Sequence, residues 1–273
     1  VLLFLSTSSL AASPPPPLAA WLPDAELTDI FFHNPDEGWA VGDRGVIWQT
    51  LDGGHHWERR ESGLTARLEA IQFIDRMHGW IVGGWTLPYS QRSRAVVLRT
   101  TDGGASWNAV PHLRIPRLNA IRFLNSQTGW AVGENSTLYP SGVFRTEDGG
   151  RNWTTVVQGH SQPWLAGDFF GPDSGLVAGA GGMVARVSRT QVVPSERPRW
   201  GARRLNCLKL SGPTTAWLVG AGGLIATSHD GGRQWQPPAG TIPLQLPGQF
   251  DFHDIATLGD QCWIVGNPGT VVL

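Results

Sequence analysis

The chain has 273 residues, of which 41% are hydrophobic and 16% charged, a balance typical of a folded protein rather than a disordered one. Its formal net charge is −1, so the bulk charge does not favour binding to nucleic acid or to an anionic membrane surface. The two cysteines, Cys207 and Cys262, are too few for a disulfide framework. They leave open a single bridge or, as we favour, two buried thiols.

The chain begins VLLFLSTSSLAASPPPP, an apolar run followed by small residues and prolines. That order is typical of the end of a secretory signal peptide, and the apolar run is too short to span a bilayer. We therefore expect residues 1–20 to be a signal-peptide remnant with a proline-rich linker, and residues 21–273 to form the folded domain. The protein is predicted to be exported and to have no membrane span.

A repeat with a period of 41 to 50 residues occupies the rest of the chain. Its six copies align on a G-W-x-V-G motif whose second position is held by Trp39, Trp80, Trp130, Leu176, Trp217 and Trp263. Each copy holds four short stretches without helical periodicity, which we name strands A to D. Four strands in each repeat predict an all-β propeller of four-stranded blades. The sixth copy stops within its strand C, and we expect seven blades in the full-length protein.

Four copies carry an Asp-Gly-Gly-x-x-Trp box between strands C and D. An Asp-Gly pair favours a tight turn because glycine accepts positive φ, and the Asp carboxylate in such a turn accepts backbone N–H groups. One box in each blade indicates a structural part, whereas a catalytic acid would be needed only once or twice. We therefore interpret the box residues as structural: Asp52 and Trp57, Asp102 and Trp107, Asp148 and Trp153, and Asp230 and Trp235.

The fourth copy lacks the box. Arg189 stands where the Asp would be, and we expect Trp200 to replace the box tryptophan. The sequence has no EF-hand spacing, no calcium-binding nonapeptide repeat and no HExxH motif, and its glycine-rich turns are not followed by helices. Neither a metal nor a cofactor is predicted.

The box resembles the Asp-box, or bacterial neuraminidase repeat, of exported propellers. The longer unit, L-x-A-I-x-F followed by GWAVG and T-x-D-G-G-x-x-W, resembles the photosystem II stability/assembly factor family over residues 25–273. That resemblance implies a seven-bladed, non-catalytic propeller that holds a nascent membrane protein, with a photosystem II reaction-centre precursor as the implied partner. It would act in the thylakoid lumen, or in the periplasm or extracellular space, and we expect a monomer.

In a propeller the B–C loops and D–A links share one end, here called the loop end, and the A–B and C–D turns share the other, here called the box end. The repeats diverge at the loop end, and loops on a rigid scaffold commonly carry function. Long B–C loops in the second and third copies hold residue types that often carry interface energy: Trp85, Tyr89, Arg92, Arg94 and Tyr139. The alternative is that these loops pack on each other.

Arginine directly precedes the first leucine of strand A in three copies, at Arg67, Arg117 and Arg204. Strand A is innermost in a propeller, so the three are predicted to form a basic collar at the channel mouth, with Arg114 and Arg203 nearby. Such a collar would bind an acidic peptide or a carboxylate. The alternative is three solvated charges at strand ends.

Two enzyme classes with Asp boxes are the alternatives to a binding protein. Sialidases resemble one another in an early Arg-Ile-Pro and a Tyr–Glu pair, but here Arg114-Ile115-Pro116 follows the second box and glutamate is scarce near both tyrosines. A glycoside hydrolase needs two carboxylates about 5–10 Å apart across a cleft. The candidates are Asp168, Asp173, Asp251 and Asp254, and because no spacing pairs them we expect no catalysis.

Overall fold

The computed structural model describes residues 25–87, 92–156, 158–159, 163–196, 200–238, 250–258, 261–267 and 270–272. These residues confirm the predicted all-β propeller: they form six sheets whose first strands are neighbours in chain order and line a common channel. Within the same ranges, helical structure is limited to two single turns, Asp43–Gly45 and Ala180–Gly182. Each sheet is one blade, and a seventh blade stays a prediction.

The strands of each blade follow one another as an antiparallel meander. Blade 1 contains β1 (Leu27–Phe32), β2 (Gly38–Gly42), β3 (Ile47–Thr50) and β4 (Glu58–Arg60). Blade 2 contains β5 (Arg67–Phe73), β6 (Gly79–Thr86), β7 (Ser93–Thr100) and β8 (Asn108–Ala109). Blade 3 contains β9 (Leu118–Phe123), β10 (Gly129–Gly133), β11 (Val143–Thr146) and β12 (Thr154–Thr155).

The later blades depart more from this plan. Blade 4 contains β14 (Trp164–Gly171), β15 (Ser174–Gly179), β16 (Val184–Val187) and β17 (Gln191–Pro194), and β13 (Gln158–Gly159) joins its edge in parallel. Blade 5 contains β18 (Leu205–Leu210), β19 (Ala216–Gly220) and β20 (Leu224–Ser228), with one bridge from Thr227 to Gln236 in place of strand D. Blade 6 contains β21 (Asp251–Leu258), β22 (Gln261–Asn267) and β23 (Thr270–Val272).

The motif tryptophans join successive blades. Trp39 of β2 stacks on Phe73 of the next blade with ring centroids 4.1 Å apart, and Trp80 of β6 stacks on Phe123 at 3.8 Å. Trp130 repeats the arrangement on Phe169. All three indoles are fully buried, because a blade's two apolar faces can leave water only by packing on neighbouring blades.

Strand A also contains a repeated irregularity, a β-bulge after its first apolar residue. In blades 1 and 5 the bulged residue carries a polar side chain that bonds to the next blade. Thr28 Oγ1 donates to the Leu68 carbonyl at 2.6 Å, and Asn206 Nδ2 donates to the Phe252 carbonyl at 2.7 Å. These bonds satisfy strand-A carbonyls beside the channel and hold adjacent blades in register.

The last glycine of the motif allows strands A and B to approach closely. A Cβ placed on Gly83 or Gly133 would lie 2.1 Å from the carbonyl oxygen of Arg67 or Arg117, respectively. No side chain fits at that distance, which explains why glycine ends the motif.

The second Asp box shows how these turns are built. Asp102 Oδ1 accepts bonds from the Ser106 backbone N–H at 3.0 Å and from Thr100 Oγ1 at 2.6 Å, and Oδ2 accepts one from Ser106 Oγ. The bonds from Ser106 and Thr100 hold the pKa of Asp102 below its usual value. Trp107 packs edge-on against Phe73 of its own blade. This geometry supports the structural interpretation of the boxes.

The other boxes share that geometry. Asp52, Asp148 and Asp230 each accept a backbone N–H from the residue four positions on. Trp57 and Trp153 pack edge-on against the strand-A phenylalanine of their own blade, whereas Trp235 pairs with Trp200. The expectation that Trp200 replaces a box tryptophan was wrong. Its indole donates to the carbonyl of Gly182 in a B–C turn, which places it at the loop end.

Candidate functional site

The centre of the propeller is a channel of about 600 Å³, lined by strand A of all six blades. Its wall carries charges of both signs, contributed by Asp29, Glu69, Arg122, Asp168, Lys209 and Asp254. Asp168 bonds to Arg122 at 3.3 Å and accepts the Leu210 backbone N–H at 2.9 Å. Much of the polar channel wall thus holds blades together.

One carboxylate of the wall shows the effect of burial, and another bonds to a buried thiol. Burial raises the pKa of Asp29 to about 6, although its Oδ2 accepts the Ile71 backbone N–H. Asp254 Oδ1 accepts a bond from the Cys207 thiol at 2.8 Å. Burial alone would lower the pKa of Lys209, but nearby groups, including Asp254, raise it overall. Cys207 and Cys262 are both buried free thiols, as favoured from the sequence.

The predicted collar lies where the sequence placed it, at the loop-end start of strand A, but it is not uniformly basic. The same register position is held in chain order by Glu26, Arg67, Arg117, Pro163, Arg204 and Asp251, whose carbonyls all face a motif glycine. The collar is therefore basic in blades 2, 3 and 5 and acidic in blades 1 and 6. The sequence comparison did not reveal this, because it considered only the three copies with arginine at this position and not the copies in which an acidic residue holds it.

Two of the collar arginines are neutralised within the protein. Arg67 bonds to Asp43 at 2.6 Å, and also to Glu26 and Glu69. Arg117 bonds to Glu134 at 2.9 Å. Burial alone would lower the pKa of Arg67, but its three acidic partners raise it overall. Neither Arg67 nor Arg117 is the freely available cation that the sequence suggested, because acidic groups of adjacent loops and strands occupy their guanidinium groups.

The three remaining arginines of the predicted collar are exposed. Arg204 Nε donates to Asn206 at 3.0 Å, and Arg203 donates to the Gly222 carbonyl at 2.8 Å. Arg114 is also exposed. Within the described ranges, none of these three forms an ion pair with a carboxylate, so their charge is available to a partner.

The long B–C loops are more firmly anchored than predicted. Trp85 is half-buried against the core between blades 1 and 2, and Tyr139 is half-buried against Phe144 with ring centroids 5.7 Å apart. Arg94 is exposed and donates from Nε to the Leu113 carbonyl, while Arg92 is exposed. Tyr89 lies outside the described residues. Both described aromatics thus pack against the propeller core, whereas the alternative stated for these loops had them packing on each other.

Sequence reasoning missed two loop-end residues. Leu138, in the B–C loop of blade 3, is 81% exposed, and Arg44 is exposed in the B–C turn of blade 1. The signal for Leu138 was an apolar residue within the polar run ENSTLYPS. The signal for Arg44 was a charge in a turn that faces the same end as the collar.

The carboxylates proposed for a hydrolase do not form one cleft. Asp173 pairs with Arg189 at 2.6 Å at the box end, and Asp251 accepts the Gly222 backbone N–H at the loop end. Asp168 and Asp254 line the channel and have the partners described above. The Arg-Ile-Pro segment is a D–A link in which the Ile115 carbonyl accepts the Ala95 backbone N–H.

Neither a metal site nor a membrane helix is found in the part of the chain that the structure describes. Among these residues, no three His, Cys, Asp or Glu side chains come together as a metal-binding group. In the same part, no helix is long and apolar enough to cross a membrane.

Six sheets around a channel, Asp-box turns at one end and variable loops at the other define the class of protein as an Asp-box β-propeller. Residues 21–190 and 203–273 match the profile of the family described as photosynthesis system II assembly factor YCF48, and the chain belongs to that family. It is 29% identical to the photosystem II assembly protein Ycf48 of Synechococcus over 263 residues, covering 90% of this chain and 71% of the relative.

Other relatives match over less sequence or in fold alone. A 59-residue segment is 30% identical to the chloroplastic photosystem II stability/assembly factor HCF136 of Arabidopsis thaliana and covers 15% of that protein. The solved structure of YCF48 bound to D1 peptide superposes with a TM-score of 0.57 at 22% identity, covering 91% of each chain. A GH74 enzyme of Niastella koreensis gives 0.59 at 11% identity, with 90% of this chain and 51% of the enzyme covered. Both structural likenesses show the fold.

Proposed function

We propose that this chain is an exported, non-catalytic propeller that captures a segment of a photosystem II reaction-centre protein at its loop end. Membership of the assembly-factor family supports the class of function, and the D1 peptide bound to a structurally similar YCF48 supports the partner. A non-catalytic role fits the local partners of each candidate carboxylate.

The observation that carries the choice of the loop end is the difference in pairing among its arginines. Arg67 and Arg117 are held by internal acids, whereas Arg203 and Arg204 are exposed and, among the described residues, meet no carboxylate. Charged groups left exposed on a rigid surface steer an oppositely charged partner and set its orientation. The proposed contact surface is this arginine pair, together with exposed Arg114 and Leu138.

A titration of a labelled D1 peptide tests the proposal. The double variant Arg203→Glu/Arg204→Glu should weaken binding at least about ten-fold in low salt, because it places like charge against an acidic ligand. The matched control is Arg151→Glu/Arg233→Glu, which makes the same charge change at the box end and should leave the Kd nearly unchanged. Loss of binding in the control alone would move the site to the box end.

Charge reversal at Arg67 and Arg117 is a poor test of binding, because it would place Glu beside Asp43, Glu69 or Glu134 and disturb the fold. Failure of the wild-type chain to bind the D1 peptide at any salt concentration would contradict the proposed partner.

Export is the second part of the proposal. It is supported by the apolar and small-residue pattern of residues 1–20 and by the chloroplastic relative. Fractionation of the source cells with an antibody to the propeller tests it. We expect the protein in the periplasmic, extracellular or thylakoid-lumen fraction, and recovery from the cytosol would contradict export.

A further inference from the structure

The interface between blades 4 and 5 departs from the three interfaces that precede it. In blades 1 to 3 a motif tryptophan stacks on a strand-A phenylalanine of the next blade. In blade 4 the tryptophan position is held by Leu176, and in blade 5 the phenylalanine position is held by Leu210. A groove of about 510 Å³ opens beside these two leucines, where the larger aromatic pair is missing.

The residue paired across the strands with the motif-tryptophan position is an arginine in blades 2, 3 and 4. In blades 2 and 3 the motif tryptophan is paired across the strands with an arginine, Trp80 with Arg99 and Trp130 with Arg145. The arginine Cζ atoms lie 5.9 Å and 5.7 Å from the ring centroids, within the range of a cation–π contact.

In blade 4 the same cross-strand pair is Leu176 with Arg186. Arg186 lines the groove and, like Arg99 and Arg145, has a buried Nε without a hydrogen-bond acceptor. Among the described residues it forms no ion pair either, whereas Arg145 is bonded to Glu147 at 2.6 Å. A half-buried guanidinium without a ring or an acid is costly unless a ligand supplies one.

The groove also keeps the hydrogen-bond acceptor that an indole uses elsewhere. Trp80 Nε1 donates to the carbonyl of Gly149, the first glycine of the next blade's box, at 2.9 Å. The equivalent glycine of blade 5 is Gly231, and it lines the groove. The second box glycine, Gly232, packs directly against Leu176, as Gly150 packs beside Trp80.

We propose that this groove binds a tryptophan side chain presented by a partner polypeptide. The indole would lie against Leu176 and Leu210 with Arg186 over its face and its N–H directed to the Gly231 carbonyl, which reproduces the contact made internally between blades 2 and 3. The occupant is argued from the molecule's own repeat, which has tryptophan at this position in the five other copies and stacks it on the next blade in three of them. The groove is at the box end, so the site is separate from the loop-end surface.

N-acetyl-tryptophanamide is the probe, and ligand-observed NMR against the whole chain measures its binding. N-acetyl-leucinamide is the matched control ligand, because it shares the amide backbone and lacks the ring. We expect the tryptophan probe to bind in the millimolar range or tighter and the leucine probe to bind at least ten-fold more weakly.

Leu176→Trp fills the groove from within and should abolish binding while the chain stays folded, since Gly232 has no Cβ to clash with the ring, as Gly104 has none beside Trp39. Arg186→Gln should weaken binding several-fold. Arg99→Gln is the matched control, because Trp80 already occupies the equivalent position, and it should leave binding unchanged. Absence of binding to the wild-type chain, equal binding of the leucine probe, or full binding to Leu176→Trp would each overturn the proposal.

Discussion

The interface between blades 2 and 3 and the interface between blades 4 and 5 use the same strand register with different side chains. At the first, Trp80 and Phe123 stack at 3.8 Å, and the indole bonds to a box glycine of the neighbouring blade. At the second, Leu176 and Leu210 leave a groove beside Arg186. The repeat thus serves two purposes. Where equivalent positions of the copies hold the same residue type, the side chains join neighbouring blades, and where they hold different types, surface is left for a ligand.

The largest expected effect is at the filled interface. Trp80→Ala should destabilise the fold by about 3–5 kcal/mol, because it removes a fully buried ring, its stack on Phe123 and its bond to Gly149. Leu176→Ala, at the open interface, should cost about 2 kcal/mol, near the lower limit for such a change. Urea denaturation measures both, and a larger loss for Leu176→Ala would reverse the comparison.

The next effect concerns the box that blade 4 has lost. Asp102→Ala should cost about 1–3 kcal/mol, because the Ser106 backbone N–H and the Thr100 hydroxyl lose their acceptor. Arg189→Ala, at the corresponding place in blade 4, should cost less than about 1 kcal/mol, since it removes only an exposed ion pair with Asp173. If thermal unfolding gave the same loss of stability for both variants, the Asp box would stabilise its blade no more than the exposed ion pair does.

A third prediction concerns pH and Asp29. Its pKa in the folded protein is about 6, above the ordinary value of 3.8, so the folded state binds the proton more tightly than the unfolded state. The stabilisation is complete below pH 3.8 and is lost as the pH rises through about 6. Relative to Asp29→Asn, the wild-type chain should therefore lose about 2 kcal/mol of stability between pH 4 and pH 7.

The box carboxylates provide the opposite sign as an internal control. The pKa of Asp102 is lowered, so its contribution is present above the ordinary value and is lost as the pH falls below it. A pH profile of Asp29→Asn parallel to that of the wild-type chain from pH 4 to pH 7 would rule out the buried Asp29 as the source of the loss.

The smallest effect is a gain. Leu176→Trp places a tryptophan at the open interface and should raise stability by about 0.5–1 kcal/mol, because it fills the space beside Leu210. Calorimetry measures the shift in Tm. A loss above about 1 kcal/mol would show that the groove does not accept an indole, which would also contradict the proposed ligand.

The fold was predictable from the sequence because the strand pattern recurs along the copies and because Gly83 and its equivalents mark the close approach of strands A and B. The position of Arg67, Arg117 and Arg204 followed from the same register. Their pairing did not, since Asp43 and Glu134 come from B–C loops whose direction no periodicity reveals. The burial of Trp85 and Tyr139 was missed for the same reason.

The open interface between blades 4 and 5 could have been predicted from the sequence by comparing neighbouring copies of the repeat. Leu176 and Leu210 each look like ordinary apolar replacements within their own repeat. Their significance appears only when the motif-tryptophan position of one blade is compared with the strand-A phenylalanine position of the next blade. These two positions are in contact across the blade interface.

The central claim is that the divergent loop end, rather than the repeated turns, receives the partner protein. Hydrogen–deuterium exchange of the chain with and without D1 peptide tests it most directly. We predict added protection in residues 84–87, 134–142 and 201–204, with little change in the box turns at 101–107 and 147–153. Protection confined to the box turns, with the loop end unchanged, would contradict the account.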